Sequence, residues 1–199
     1  MIGILLYLRS RRVLAAAAAV IVAQAAGLVV GASEFRTSSY TELAVPWVVF
    51  LPLVSSVAIG VSLRTPSPEI DGSAVRALAW YRTAQAAALG SVALLGTIGM
   101  TQHLNGPIGM TASVRNLVGF TGLALVSAAL MGARLSWLLP VASAMTAMTI
   151  GSPVNTGFAW DWPVRVDHDY SASVTAFILL LAGAIALLRV GPREVNRDR

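Results

Sequence analysis

His168 stands between Asp167 and Asp169, the one point in the sequence where a histidine adjoins two carboxylates. These residue types ligate metals and move protons. Adjacent side chains on an extended segment point to alternate faces, so the three do not easily converge on one ion. The only other histidine is His103, at the end of a different apolar stretch. The cluster is therefore expected to be a set of solvated loop charges and not a metal site. Nucleophilic catalysis needs an activated hydroxyl beside a base. Ser55, Ser91, Ser127 and Ser143 lie in apolar stretches that hold neither His nor Asp, and no G-x-S-x-G occurs. A phosphate-cradling G-x-x-x-x-G-K-[ST] loop is impossible in a chain without lysine. The expectation is a protein that is not an enzyme, uses no cofactor and hydrolyses no ATP by itself.

One charge lies within an apolar stretch: Arg115, beside Asn116. Ionisable residues inside membrane segments are the usual pointer to function. Two readings are open for Arg115. Its side chain extends to the outer surface, or it pairs with Asp161 or Asp167. No carboxylate lies in mid-span, which disfavours proton-coupled transport by this chain alone.

The elements that position these residues follow from composition. The chain is 56% hydrophobic and 12% charged, with a mean hydropathy of +0.74; soluble domains carry about 25% charged residues. About 20 apolar residues cross the hydrocarbon core of a bilayer. Six segments meet that need, approximately 13–31, 43–63, 83–101, 112–133, 135–151 and 171–189. The fold class expected is all-α: a polytopic integral membrane protein with six transmembrane helices in a single domain. The first segment is too long for the apolar core of a signal peptide and is expected to be retained. No cysteine is present, so neither disulfides nor thiolate metal sites arise.

All 14 basic residues are arginines, and six spans sort them. Arg9, Arg11, Arg12, Arg64, Arg76, Arg82, Arg134, Arg189, Arg193, Arg197 and Arg199 fall on one side, against Arg36, Arg115 and Arg165 on the other. Positively charged loops resist translocation, which puts the first group and both termini in the cytoplasm. The net charge of +5 is thus topology and not a nucleic-acid surface. The lack of lysine fits a GC-rich genome and a bacterial plasma membrane.

Two connections exceed what packing requires. On the inside, Thr65-Pro66-Ser67-Pro68 cannot be regular helix. The stretch 71–82, which Asp71 or Ser73 can cap, forms an expected interfacial helix with Trp80 at headgroup level. It is either a surface connector or a dock for a cytoplasmic partner, through Arg76, Trp80 and Arg82. The outer loop, 152–170, holds Trp160, Asp161, Trp162 and Tyr170. It suits an aromatic belt, or a segment that dips back into the membrane or covers an exit. Gly27-x-x-x-Gly31, Ala128-x-x-x-Gly132 and Ala182-x-x-x-Ala186 carry small-residue spacing, for packing within the bundle or for a homodimer seam.

Arg115-Asn116-Leu117-Val118-Gly119-Phe120-Thr121-Gly122, then Gly132-Ala133-Arg134-Leu135-Ser136-Trp137-Leu138-Leu139-Pro140 and Trp160-Asp161-Trp162-Pro163, resemble small actinobacterial membrane proteins of the ABC transporter permease type. The overall plan is similar to the type-2 ABC exporter class. That resemblance implies a homodimer or heterodimer of membrane subunits in the lipid bilayer, bound to cytoplasmic ABC ATPase subunits. Arg76, Trp80 and Arg82 would couple to the ATPase. Arg115, Asn116, Trp160, Asp161 and Trp162 would form an outer gate. The alternatives are a substrate-capture subunit of a vitamin-uptake transporter, and a structural or regulatory membrane protein with no transport role.

Overall fold

A computed structural model of the chain describes residues 13–30, 34–35, 45–47, 50–64, 75–102, 109–151 and 159–191. Six α-helices run through them: α1 (Val13–Val30), α2 (Leu51–Ser62), α3 (Val75–Thr101), α4 (Met110–Met131), α5 (Leu138–Ile150) and α6 (Tyr170–Arg189). Each occupies one of the six apolar segments. Two short strands, β1 (Glu34–Phe35) and β2 (Val45–Pro46), pair antiparallel between α1 and α2, with Glu34 opposite Pro46. Three helices are long and apolar enough to cross a membrane, over Trp80–Thr101, Met110–Met131 and Tyr170–Arg189. Among the described residues the protein is helical apart from this strand pair, and its long apolar helices suit embedding in a membrane.

The second segment departs from expectation. Among its described residues the α-helix covers Leu51–Ser62, because Pro46 lies in β2 and Pro52 sits in the first helical turn. A proline there forfeits no intrahelical hydrogen bond. In the fifth segment Pro140 likewise falls in the first turn of α5, which starts at Leu138 after a 3₁₀ turn at Ala133–Leu135. The larger departure concerns the expected interfacial helix 71–82 and the span 83–101. From Val75 onward they form one helix of 27 residues, about 40 Å long at 1.5 Å per residue. No glycine or proline occurs between Val75 and Gly90, and alanine, leucine, arginine and glutamine carry the helix through without interruption. Residues 71–74 lie outside the described part.

The fourth helix is the axis of the bundle. Of its most apolar stretch 61% is buried, against 28% for α3 and 22% for α6. Its closest neighbour is α6, and two glycines set that approach. A methyl group at Gly122 would overlap the Leu179 backbone, and one at Gly183 would lie 2.5 Å from the Gly122 carbonyl oxygen. Of the small-residue spacings seen in the sequence, those of Gly27 and Ala128 serve intramolecular packing, whereas Ala182 is exposed. Gly27 faces Met100 and Leu51, and Ala128 is fully buried.

Hydrogen bonds between side chains join helices where hydrocarbon offers no competing partner. Gln24 of α1 donates to Ser55 Oγ of α2 at 3.1 Å and to Ala93 O and Thr97 Oγ1 of α3 at 3.4 Å. Ser56 of α2 lies 3.1 Å from Thr121 Oγ1 of α4. Gln85 of α3 donates to Ser62 Oγ of α2 at 2.9 Å. Two apolar clusters fill the two ends of the bundle. One gathers Phe50, Met100, Phe120, Trp162 and Val164. The other gathers Val20, Ile59, Leu63, Leu89, Ala133 and Leu187.

Candidate functional site

The segment between α5 and α6 folds into the end of the bundle that holds the first cluster. Ala159–Val164 forms a 3₁₀ turn with Pro163 inside it. This turn sends neighbouring tryptophans in different directions: Trp160 is 38% exposed and Trp162 is 2% exposed. The Trp162 ring rests on Gly119 of α4, where a Cβ would collide with it, and lies 5.0 Å from the Phe120 ring at a 56° tilt. Gly119 stands about 14 Å along α4 from Met110 at 1.5 Å per residue. The tryptophan therefore reaches well below the rim. The aromatic-belt expectation fits exposed Trp160 and Tyr170 and fails for Trp162.

Arg115 and Asn116, one turn above Gly119, hold this segment by its backbone. Arg115 Nη1 donates to Val166 O at 3.0 Å, and Nη2 donates to Arg165 O at 2.7 Å. Asn116 Nδ2 donates to Pro163 O at 2.8 Å. Arg115 is buried and neither reaches outward nor forms an ion pair with Asp161 or Asp167, so both readings of it made from the sequence are corrected. The reason is backbone chemistry. A 3₁₀ turn folded into a bundle brings carbonyls that need donors, and a guanidinium presents several donors in a fixed fork.

The Asp161 carboxylate is held by Arg165. Its Nε and Nη2 both approach Asp161 Oδ1 at 2.6 Å, with both side chains buried. Arg165 Nη1 bonds Ser171 Oγ at 2.6 Å and Asp169 Oδ2 at 3.2 Å. Asp169 caps α6, accepting from Ala172 N at 3.0 Å and from Ser171 Oγ at 2.6 Å. Burial of the Asp169 carboxyl raises its pKa, but the hydrogen bonds from Ser171 and Ala172 and the Arg165 charge outweigh that, and the net direction is down. Asp167 caps a helix from another part of the chain: its Oδ1 accepts from Gly109 N at 2.7 Å and Ala112 N at 2.9 Å, at the start of α4. Gly109, the N-cap residue of α4, has no side chain to do this.

The arrangement is a clamp. One short segment binds the first turns of α4 and α6 through two carboxylates and seals the space between with a tryptophan. Its carboxylates are committed to caps and an ion pair, which leaves His168 exposed beside them. Among the described residues no group of three or more His, Cys, Asp or Glu is placed to hold a metal. His103 lies outside those residues. Of the expected gate residues, the structure brings together Arg115, Asn116, Asp161 and Trp162, and leaves Trp160 at the surface. Asp167 and Asp169, expected from the sequence to be solvated loop charges, are helix caps instead, and Arg165 and Gly119 were not singled out as site residues. The spacing of Asp161, Arg165 and Asp169, four apart with alternating charge, was the available signal.

At the opposite end, Trp80 and Tyr81 are 75% and 52% exposed near the start of α3. Arg82 is half-buried, with Nη1 3.4 Å from where a Cβ on Gly191 would stand. Arg76 belongs to the first turn of α3, and its side chain lies outside the described part. An apolar groove of about 290 Å³ opens between α2 and α5, lined by residues including Phe50, Leu53, Val54, Val141, Met145 and Met148.

No protein family, no curated protein and no solved structure matches the chain.

Proposed function

We propose that the chain is the membrane-spanning permease subunit of an ATP-binding-cassette exporter, with six spans, both termini in the cytoplasm of a bacterial cell, and ATP hydrolysis on a separate cytoplasmic subunit. The observation that carries this reading is the clamp: a segment between the fifth and sixth helices that enters the bundle and seats Trp162 on Gly119. In the resembling exporter class, a re-entrant outer segment occupies that place. The exposed aromatic start of α3 supports the reading from the other end, since a helix longer than the membrane core can present residues beyond it. Trp80 with Arg76 and Arg82 is the proposed contact with the ATPase, and the assembly is a dimer of such subunits.

Co-expression with a lone ATP-binding subunit encoded nearby, followed by affinity purification, tests the proposal. Wild type carries the ATPase through, and Trp80→Ala with Arg76→Gln weakens that association at least tenfold. Full co-purification by the double variant refutes the docking assignment, and failure of any ATPase to associate refutes the exporter reading.

A second reading is favoured by one observation. The apolar groove between α2 and α5 is large enough for a small ligand, as a substrate-capture subunit of a vitamin-uptake transporter requires. Mass spectrometry of the purified chain separates the two, because a capture subunit retains a stoichiometric small molecule.

A further inference from the structure

Three arginines in three separate connections lie at one end of the bundle. Arg64 follows α2, Arg134 lies in the turn between α4 and α5, and Arg189 ends α6. Leu63, Ala133 and Leu187, close to them in sequence, are buried in the apolar core and anchor the three connections to the bundle. All three arginines are exposed. The described ion pairs join Arg165 to Asp161 and Asp169 at the other end, and Glu69, Asp71, Glu194 and Asp198 lie outside the described residues.

The depth of this end in a bilayer follows from the long helices. The membrane-crossing stretch of α3 begins at Trp80, that of α4 ends at Met131, and that of α6 ends at Arg189. Arg134 and Arg189 thus stand where hydrocarbon gives way to headgroups. Exposed Trp80, Tyr81 and Trp137 lie at the same end, and Trp and Tyr favour that level.

We propose that this end of the protein is a binding surface for anionic phospholipid, with Arg64, Arg134 and Arg189 meeting headgroup phosphates. A guanidinium matches a phosphate with two parallel hydrogen bonds, and is more weakly hydrated than an ammonium. Three exposed cations at one end of the bundle, Arg134 and Arg189 among them at the depth where membrane-length helices end, complement a negatively charged leaflet. The inference rests on the membrane embedding and is independent of any ATPase.

The test uses the full-length chain, purified in detergent, mixed with equal phosphatidylglycerol and phosphatidylcholine and examined by native mass spectrometry. Wild type retains phosphatidylglycerol in preference, and added salt weakens the preference. The combined variant R64Q/R134Q/R189Q loses about fivefold of it for each arginine removed. If the combined variant does not give a monodisperse protein, R134Q alone is measured and shows a single such step. Equal retention of the two lipids by wild type overturns the proposal, as does an unchanged preference in the variants. A variant that keeps its lipid preference but loses a co-purifying ATPase makes these arginines a protein-docking surface instead. Absence of an ATPase partner leaves the lipid measurement intact, so failure of the exporter reading and failure of this proposal are distinguishable.

Discussion

The two ends of the bundle use the same side chain in opposite ways. At the clamp, Arg115 and Arg165 are 4% and 2% exposed, and their guanidinium groups are spent on carbonyls, carboxylates and a serine. At the other end Arg64, Arg134 and Arg189 are exposed, with no carboxylate partner among the described residues. Removing charge from the first kind strands a buried partner. Removing it from the second kind changes only what the surface attracts. Counting arginines by side of the membrane treats all of them as one signal, and the structure separates the buried ties Arg115 and Arg165 from the exposed Arg64, Arg134 and Arg189.

The sharpest way to break this comparison is Asp161→Ala. It leaves Arg165 buried without its main counter-charge, and losing one partner of a buried pair costs about 3–5 kcal/mol. Thermal unfolding of the detergent-purified protein is expected to show that loss. A variant as stable as wild type would mean that the clamp is not a tie. A smaller effect is expected of Asp167→Ala, which removes the cap that the segment places on α4. Cap removal costs about 0.5–2 kcal/mol, and hydrogen exchange at Gly109 and Ala112 should rise while the α6 amides keep their protection.

Asp169 gives the comparison a pH dependence. Its folded-state pKa lies below the ordinary carboxyl value. Its contribution to stability is therefore complete above the unfolded value of about 4, and fades as pH falls through the lower folded value. Melting temperature followed from pH 6 downward should drop in the acid range, less steeply in Asp169→Asn. The smallest effect belongs to the other end. Arg134→Gln, exposed and without a described carboxylate partner, should alter stability by no more than about 0.5 kcal/mol. A destabilisation as large as that of Asp161→Ala would erase the distinction between the ends.

Much of the fold was legible in the sequence. All six apolar segments carry helices, because a backbone in hydrocarbon must satisfy its polar groups within the segment. Boundaries shifted where local chemistry outweighed hydropathy. Pro46 in a strand pair and Pro52 in a first turn shortened the second helix, and the unbroken run after Val75 fused two expected elements into one. The clamp was half legible. Arg115 stood out as the charge in an apolar span, and Trp162 and Asp161 as part of an unusual loop. Their true partners did not stand out, since Arg115 binds backbone carbonyls, which every residue has and no sequence marks. Gly122 and Gly183 were passed over as well, because each sets a close approach to a different helix and neither stands in a four-residue spacing with another glycine.

By itself the sequence determined that the chain is helical and membrane-embedded, and where its charges cluster along the chain. Hydrophobicity and charge act residue by residue, so they can be read in one dimension. The tertiary structure alone decided which arginines are buried ties and which form an exposed surface. That depends on what lies across from each guanidinium: Arg115 meets carbonyls fifty residues away, while Arg64, Arg134 and Arg189 are exposed at the other end of the bundle. Long-range packing brings such partners together, and nothing local to an arginine encodes them.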